Sequence, residues 1–257
     1  MRIDRIARGI CCRLVVRTVL VLMGTGTLAG CTSIGMHHEG MLRQMDFGPP
    51  QQVRLCVELD DGVTEADARQ LIGSWNSEAP RYGLYVTPVS FEHHSRNGFF
   101  HWQIMHDIEQ IPLKAPCDRL MFFANRNFGD FLYGIAGLAT GVPEVLGEVD
   151  DTTLTHGFVY AKIATPNQLL IPPSAATRHE MYHLLGCGQH FNMPACYVEL
   201  QYLKSASKVM SETADESRPE DHFFPTYANR TASLVLTRDD ANAMAGRHTG
   251  TAAMAAQ

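Results

Sequence analysis

The pattern of apolar and polar residues predicts four strands in the central part of the chain. Residues 53–59 alternate in this way, which is typical of a strand with one buried face. Residues 84–91 predict a second strand, and Pro88 within it indicates an edge position or an irregularity, because proline cannot donate to a strand ladder. The apolar segments 118–124 and 157–163 predict two further strands.

The segments between these strands contain residue patterns that are typical of helices. Thr64, with Asp67 three residues later, has the pattern of a helix-capping box. The apolar residues that follow keep the spacing of one buried helix face: Ala68, Leu71, Ile72 and Trp75. Residues 102–111 predict a second helix, and the glycine-rich segment 129–147 predicts an irregular connection. We therefore predict one α/β or α+β domain over residues 53–250.

The first thirty residues have the layout of a signal peptide. Five arginines precede the apolar run 18–23, and small residues then lead to Cys31. The tetrapeptide Leu-Ala-Gly-Cys resembles a bacterial lipobox, in which the cysteine becomes the lipid-modified first residue of the mature protein. We predict a signal peptide over 1–30, a tether over 31–52 and a lipid-anchored protein of the cell envelope, at the outer membrane or the periplasmic face. An ordinary cleaved secretory signal is the alternative.

Composition limits the partners of the chain. The 21 lysine and arginine residues are outnumbered by 27 aspartate and glutamate residues, so a net charge of -6 leaves no basic surplus for nucleic acid. With 45% hydrophobic residues the chain can bury a core, and after residue 30 no apolar stretch reaches the roughly 18 residues of a membrane span. We expect a monomer that meets the membrane only through its lipid and ends in a flexible tail over 251–257.

The cysteines are consistent with an exported protein. Of the seven in the chain, two lie in the signal peptide and Cys31 would carry lipid, so four remain: Cys56, Cys117, Cys187 and Cys196. An even number in an oxidising compartment predicts two disulfides. We favour Cys56–Cys117, because both lie in or beside strands, and Cys187–Cys196, because both are close in sequence. Other pairings, or four buried thiols, are the alternatives.

The segment His179-Glu180-Met181-Tyr182-His183 carries the candidate chemistry. Residues 175–185 predict a helix, so His179 and His183 lie one turn apart and their imidazoles share one face. This spacing suits two ligands of a zinc ion. The carboxylate of Glu180 would then accept a proton from a water activated by the zinc.

The residues that follow resemble the metzincin metallopeptidases. In that family a glycine follows the second histidine by three residues, and a third histidine ligand follows the glycine by three. Gly186 matches this pattern, but the next position holds Gln189, and His190 lies one residue later. We assign the third ligand to His190, because a glutamine carbonyl is a poor zinc ligand beside imidazoles. Three other residues are ligands in reserve: Glu199, Glu212 and His222.

Two more segments carry the resemblance. Residues 207–212 resemble the Met-turn, a tight loop that places Met210 beneath the metal, and residues 236–240 resemble the start of the family's last helix. The resemblance implies an α+β, zincin-like fold in which a twisted mixed sheet is combined with an active-site helix and a C-terminal helix. It also implies a peptide substrate that pairs with an edge strand. We expect residues 134–139 to supply this edge, with an ordinary loop as the alternative.

The motif and the resemblance together predict a zinc-dependent endopeptidase. Its Zn²⁺ would be held by His179, His183 and His190, with Glu180 as the general base. A zinc hydrolase acting on another substrate, such as a peptide crosslink of the cell wall, is one alternative. A binding or scaffold lipoprotein with a structural zinc site is another, and it requires a fourth protein ligand.

Overall fold

The computed structural model describes residues 34–140, 144–213, 222–228 and 233–246. The predicted signal peptide, the lipidation of Cys31 and the tail over 251–257 lie outside these ranges. Within them, no helix combines the length and the hydrophobicity that a membrane-spanning segment requires.

A five-stranded sheet forms the centre of the domain, with the order β2-β1-β3-β5-β4. Its strands are β1 (Gln51–Leu59), β2 (Leu84–His93), β3 (Arg119–Ala124), β4 (Gly147–Val149) and β5 (His156–Tyr160). The pairs among β1, β2, β3 and β5 are parallel, whereas β4 pairs antiparallel with β5 at one edge. The mixed sheet and its four predicted strands are confirmed. Strand β2 lies at the opposite edge, and its register with β1 shifts after Pro88, as a proline in a strand predicts.

Helices surround the sheet on both faces. They are α1 (Glu39–Leu42), α2 (Glu65–Asn76), α3 (His101–Glu109), α4 (Phe128–Thr140), α5 (Pro166–Leu170), α6 (Pro173–Leu184), α7 (Met193–Thr213) and α8 (Arg238–Met244). A 3₁₀ helix, Ala79–Tyr82, precedes β2, and a small hairpin of β6 (Thr226–Ala228) and β7 (Ser233–Val235) precedes α8. The predicted α+β class is therefore confirmed.

Strand β3 divides the core into two layers. Its residues Met121 and Phe123 belong to the cluster beneath α2 and α6, whereas Phe122 and Ala124 pack against α3. This alternation follows from the two-residue period of a strand. Because helices cover both faces of the sheet here, all of β3 is buried.

Two of the predicted helix starts are confirmed. At α2 the Thr64 side chain accepts the Asp67 N–H at 3.2 Å, and the Asp67 carboxylate accepts the Thr64 N–H at 2.9 Å. At α8 the Thr237 side chain accepts the Asp240 N–H at 3.1 Å. Each hydroxyl satisfies a backbone donor that the first helical turn leaves without a partner.

The predicted tether over 31–52 needs correction, because residues 34–52 pack against the domain. Ile34 is 1% exposed and belongs to the main core. The His38 N–H donates to the hydroxyl of Tyr197, on α7, at 3.1 Å. The segment lacks the periodicity of a regular element, so its burial depends on long-range contacts that the local sequence does not reveal.

The glycine-rich segment contains a helix rather than an irregular connection. Helix α4 covers residues 134–139, so this stretch is neither the expected edge strand nor a loop. The missed signal is Asn127, whose side chain accepts the Asp130 N–H at 3.1 Å while the Asp130 carboxylate accepts the Asn127 N–H at 2.7 Å. This reciprocal cap starts a helix in spite of the low helical propensity of glycine.

The expected Met-turn is also corrected. Helix α7 runs unbroken from Met193 to Thr213, so residues 207–212, all within the described chain, are helical and contain no tight loop. Met210 is half-buried on this helix. The reason lies in the composition of the segment, since no glycine or proline occurs between Tyr197 and Thr213 to end the helix.

Candidate metal centre

Helix α6 supplies the first two histidines of the site and ends immediately after them. Gly186 adopts a φ of +106°, its N–H donates to the His183 carbonyl at 2.9 Å, and the Cys187 N–H donates to the Tyr182 carbonyl at 2.9 Å. These two bonds form the Schellman motif that reverses the chain at a helix end. A side chain at position 186 would also collide with Leu203, so glycine is required for both backbone and packing reasons.

The loop after this turn brings in the third histidine. A disulfide joins Cys187 to Cys196 with a Cα–Cα distance of 4.8 Å, and the Gly188 N–H donates to the Glu199 carboxylate at 3.3 Å. These contacts fix both ends of the loop that carries His190. The other predicted bridge, Cys56–Cys117, is present as well, so both predicted disulfides are confirmed. They indicate a non-cytoplasmic protein.

The three histidine side chains meet at their Nε2 atoms. The Nε2 atom of His183 lies 3.2 Å from Nε2 of His179 and 3.3 Å from Nε2 of His190. Two imidazole nitrogens at adjacent corners of a tetrahedral zinc site, each about 2.0–2.1 Å from the metal, are about 3.3–3.4 Å apart. The candidate ligand atoms of all three residues lie within 4.8 Å of one another. This donor set therefore fits a metal ion.

A backbone carbonyl orients the central imidazole. Nδ1 of His183 lies 2.6 Å from the carbonyl oxygen of Cys187. Because a carbonyl only accepts hydrogen bonds, Nδ1 carries the proton, and the lone pair of the neutral ring is on Nε2. That lone pair faces the other two histidines, and such an outer contact is typical of metal-binding histidines.

Glu180 lies beside the histidines but points toward the sheet. Its residue is 7% exposed, and burial, together with the charge of Glu148, raises the pKa of its carboxyl to about 8. The absence of a side chain at Gly147, on β4, makes room for it, because a Cβ there would lie 2.6 Å from Cγ of Glu180. The first glycine of the edge strand thus allows the carboxylate to pack against β4.

The reserve ligands stay outside the cluster. Among the described residues, the group that could hold a metal consists of His179, His183 and His190. Glu199 binds the loop backbone, Glu212 forms an exposed pair with Lys208, and His222 contacts a carbonyl of α7. Gln189 holds the position that the family pattern gives to the third ligand, and its side-chain oxygen lies 3.5 Å from the Asn192 side-chain nitrogen.

The other histidine-rich segments have partners of their own. His93, His94 and His101 lie 2.7–3.0 Å from the carboxylates of Asp61, Asp107 and Glu148. They therefore form separate histidine–carboxylate pairs rather than a second metal cluster within the described residues.

Sequence reasoning missed one residue that fixes the end of α6. Arg119, on β3, is fully buried and donates to the carbonyls of Leu184, Asp118, Phe224 and Pro225 at 2.6–2.9 Å. Burial lowers the pKa of its guanidinium to about 10. No local signal could have found this role, because three of the four carbonyls belong to segments distant in the sequence.

The sequence matches no protein-family model and no curated protein. The fold and the site define the class of the protein. It is an α+β protein with two disulfides and a cluster of three histidines that could bind a metal ion.

Proposed function

We propose that the protein is a zinc-dependent peptidase. The observation that carries the proposal is the convergence of three histidines, with Nε2 of His183 at 3.2 and 3.3 Å from Nε2 of His179 and His190. The helix that supplies the first two also carries Glu180 next to His179. Three imidazoles are a donor set that zinc favours in catalytic sites.

The residues of the site have separate roles in this proposal. His179, His183 and His190 would hold the zinc ion, and the bound metal would lower the pKa of a water toward 7. Glu180 would accept the proton in its ionised form, which the charge of a bound metal would favour against the effect of burial. The Cys187 carbonyl keeps His183 in the tautomer that binds metal.

Strand β4 supports a peptide as the substrate class. It is an edge strand of the described sheet, and Gly147 at its start contacts Glu180. An extended peptide can add to such an edge through main-chain hydrogen bonds. This pairing would hold a scissile carbonyl beside the metal centre, and it moves the substrate-binding role from residues 134–139 to residues 147–149.

The number of ligands favours a catalytic over a structural zinc site. The described residues supply three candidate ligands, and His190 is exposed. A structural zinc site is normally closed by four protein ligands, whereas a catalytic site keeps one position open.

The first test is the metal content of the full chain, purified and dialysed against zinc-free buffer. We expect about one zinc per chain, lost in His190→Ala and kept in the control His93→Ala, which removes an exposed histidine paired with Asp61. A wild-type chain that folds but holds no zinc after reconstitution would refute the proposal.

The second test separates catalysis from metal binding. We expect Glu180→Gln to keep its zinc and to lose peptide hydrolysis by about 10²–10⁴-fold, the usual contribution of a general base. The control Glu212→Gln removes an exposed carboxylate and should keep full activity. Zinc binding without hydrolysis in the wild type, across protein and cell-wall peptide substrates, would favour the structural site instead.

A further inference from the structure

A second candidate site lies at the end of β3, around Arg126. The side chain of Arg126 is 3% exposed, and its guanidinium carbon lies 3.6 Å from the centre of the Tyr160 ring, at the end of β5. Stacking on an aromatic face is a favourable environment for a guanidinium. It also fixes the plane of the group, so its N–H donors have defined directions.

Arg126 has unused donors in spite of its burial. Its Nη1 atom lies 2.6 Å from Oε1 of Glu144, but Nε and Nη2 have no hydrogen-bond partner among the described residues. Buried donors normally have partners, because their desolvation is otherwise uncompensated. Nε and Nη2 form one edge of the guanidinium, and this edge can bind a carboxylate through two parallel hydrogen bonds.

Arg126 lines a cavity with an aromatic wall. Phe99, Phe100, Tyr133 and Val145 contribute apolar surface to it, and the cavity volume is about 130 Å³. The rings of Phe99 and Phe100 are in edge contact at 5.0 Å, and Tyr133 meets Phe100 at 5.9 Å. These aromatic contacts preform the wall, and apolar walls with a few polar groups are typical of small-molecule sites.

The acidic residues of the cavity already have partners. Asp130 accepts hydrogen bonds from Nη2 of Arg96 at 2.6 Å and from the Asn127 N–H at 2.7 Å. Glu144 accepts one from the Thr165 hydroxyl at 2.9 Å. Oε1 of Glu144 has no hydrogen-bond partner among the described residues, although it lies 2.6 Å from Nη1 of Arg126. The donor edge of Arg126 therefore requires an acceptor other than Glu144 and, since it is cationic, favours an anionic one.

We propose that this cavity binds a small organic carboxylate that carries an aromatic or branched apolar group. The carboxylate pairs with Nε and Nη2 of Arg126, and the apolar group packs against Phe100 and Tyr133. The site uses none of the three clustered histidines, so it does not depend on the proposed peptidase function.

Calorimetric titration of the full chain with benzoate and with its neutral analogue benzamide tests the proposal. We expect saturable benzoate binding and at least tenfold weaker binding of benzamide, because the amide lacks the charge and the second acceptor oxygen. Arg126→Gln should weaken benzoate binding at least tenfold, while the control Arg43→Gln, which removes an exposed arginine, should leave it unchanged.

A second variant keeps the test decisive if Arg126→Gln fails to fold. Tyr133 is 39% exposed, so Tyr133→Ala should fold normally and bind both ligands several-fold more weakly. No saturable benzoate binding by the wild type up to the solubility limit would overturn the proposal. Equal binding of benzoate and benzamide, or benzoate binding unchanged in Tyr133→Ala, would overturn it as well.

Discussion

A single carbonyl oxygen decides which nitrogen of His183 faces the other two histidines. The Cys187 carbonyl binds Nδ1, and the ring then offers Nε2 to the cluster. At Glu180 the decisive group is a missing side chain, because Gly147 leaves the space that the carboxylate occupies. The site therefore depends on the Cys187 carbonyl and on Gly147 as well as on the motif of residues 179–183.

Gly147→Ala tests this dependence. The added methyl carbon would lie 2.6–3.0 Å from the Glu180 side chain and 2.8 Å from the Phe158 carbonyl oxygen, so it would displace Glu180 and strain the pairing of β4 with β5. If the proposed function is right, we expect hydrolysis to fall by about 10–100-fold, since a displacement of about 1 Å can cost that much, while the zinc content stays the same. Steady-state kinetics with metal analysis measures both effects.

Gly73→Ala is the matched control for this substitution. Gly73 lies in helix α2, and a Cβ there meets nothing within 4 Å. Activity should be unchanged in this variant, with the protein slightly more stable because alanine favours a helix. Full activity in Gly147→Ala would show that the position of Glu180 does not matter.

At the scale of elements, the two disulfides act on different parts of the molecule. Cys187–Cys196 closes a short loop, with a sequence separation of 9, at the end of the metal-binding helix. Cys56–Cys117 has a separation of 61 and joins β1 to the segment just before β3. The first therefore constrains the position of His190, whereas the second constrains the sheet.

Replacing each pair by serines should separate these effects. Chain entropy predicts a loss of about 4 kcal/mol in unfolding free energy without Cys56–Cys117 and somewhat less, about 3 kcal/mol, without Cys187–Cys196. Zinc affinity should fall mainly in the second variant, because the loop that carries His190 loses its constraint. Urea unfolding and competition with a chelator measure the two quantities. Equal zinc affinities in both variants would contradict this division.

At the scale of the whole molecule, Arg119 joins segments that are far apart in the sequence. From β3 it donates to the end of α6 and to the carbonyls of Phe224 and Pro225. The small hairpin after residue 225 is thereby tied to the metal-binding helix. A buried cation whose hydrogen bonds end on carbonyls of several segments stabilises their relative positions.

Arg119→Met should destabilise the fold strongly, because several buried carbonyls lose their donor. We expect a loss of about 3 kcal/mol or more in unfolding free energy. The control Arg81→Met removes an exposed pair with Glu39 and should change stability by less than about 1 kcal/mol. Urea denaturation compares the two variants, and equal midpoints would refute the role of Arg119.

The sequence by itself determined the parts of this protein that depend on local periodicity and spacing. Two-residue alternation or an apolar run identified four strands of the main sheet, the helical pattern identified α6 with its two histidines, and a hydroxyl cap identified the start of α2. The number of cysteines predicted two disulfides, and their positions favoured the pairing that the structure has.

Only the tertiary structure decided what depends on distant segments. It placed His190 against the helix histidines, because the turn at Gly186 and the disulfide together set the path of the loop. It packed residues 34–52 on the domain and made β4, not residues 134–139, the edge strand beside α6. It also extended α7 through Met210. These outcomes depend on burial between elements, for which no local pattern exists.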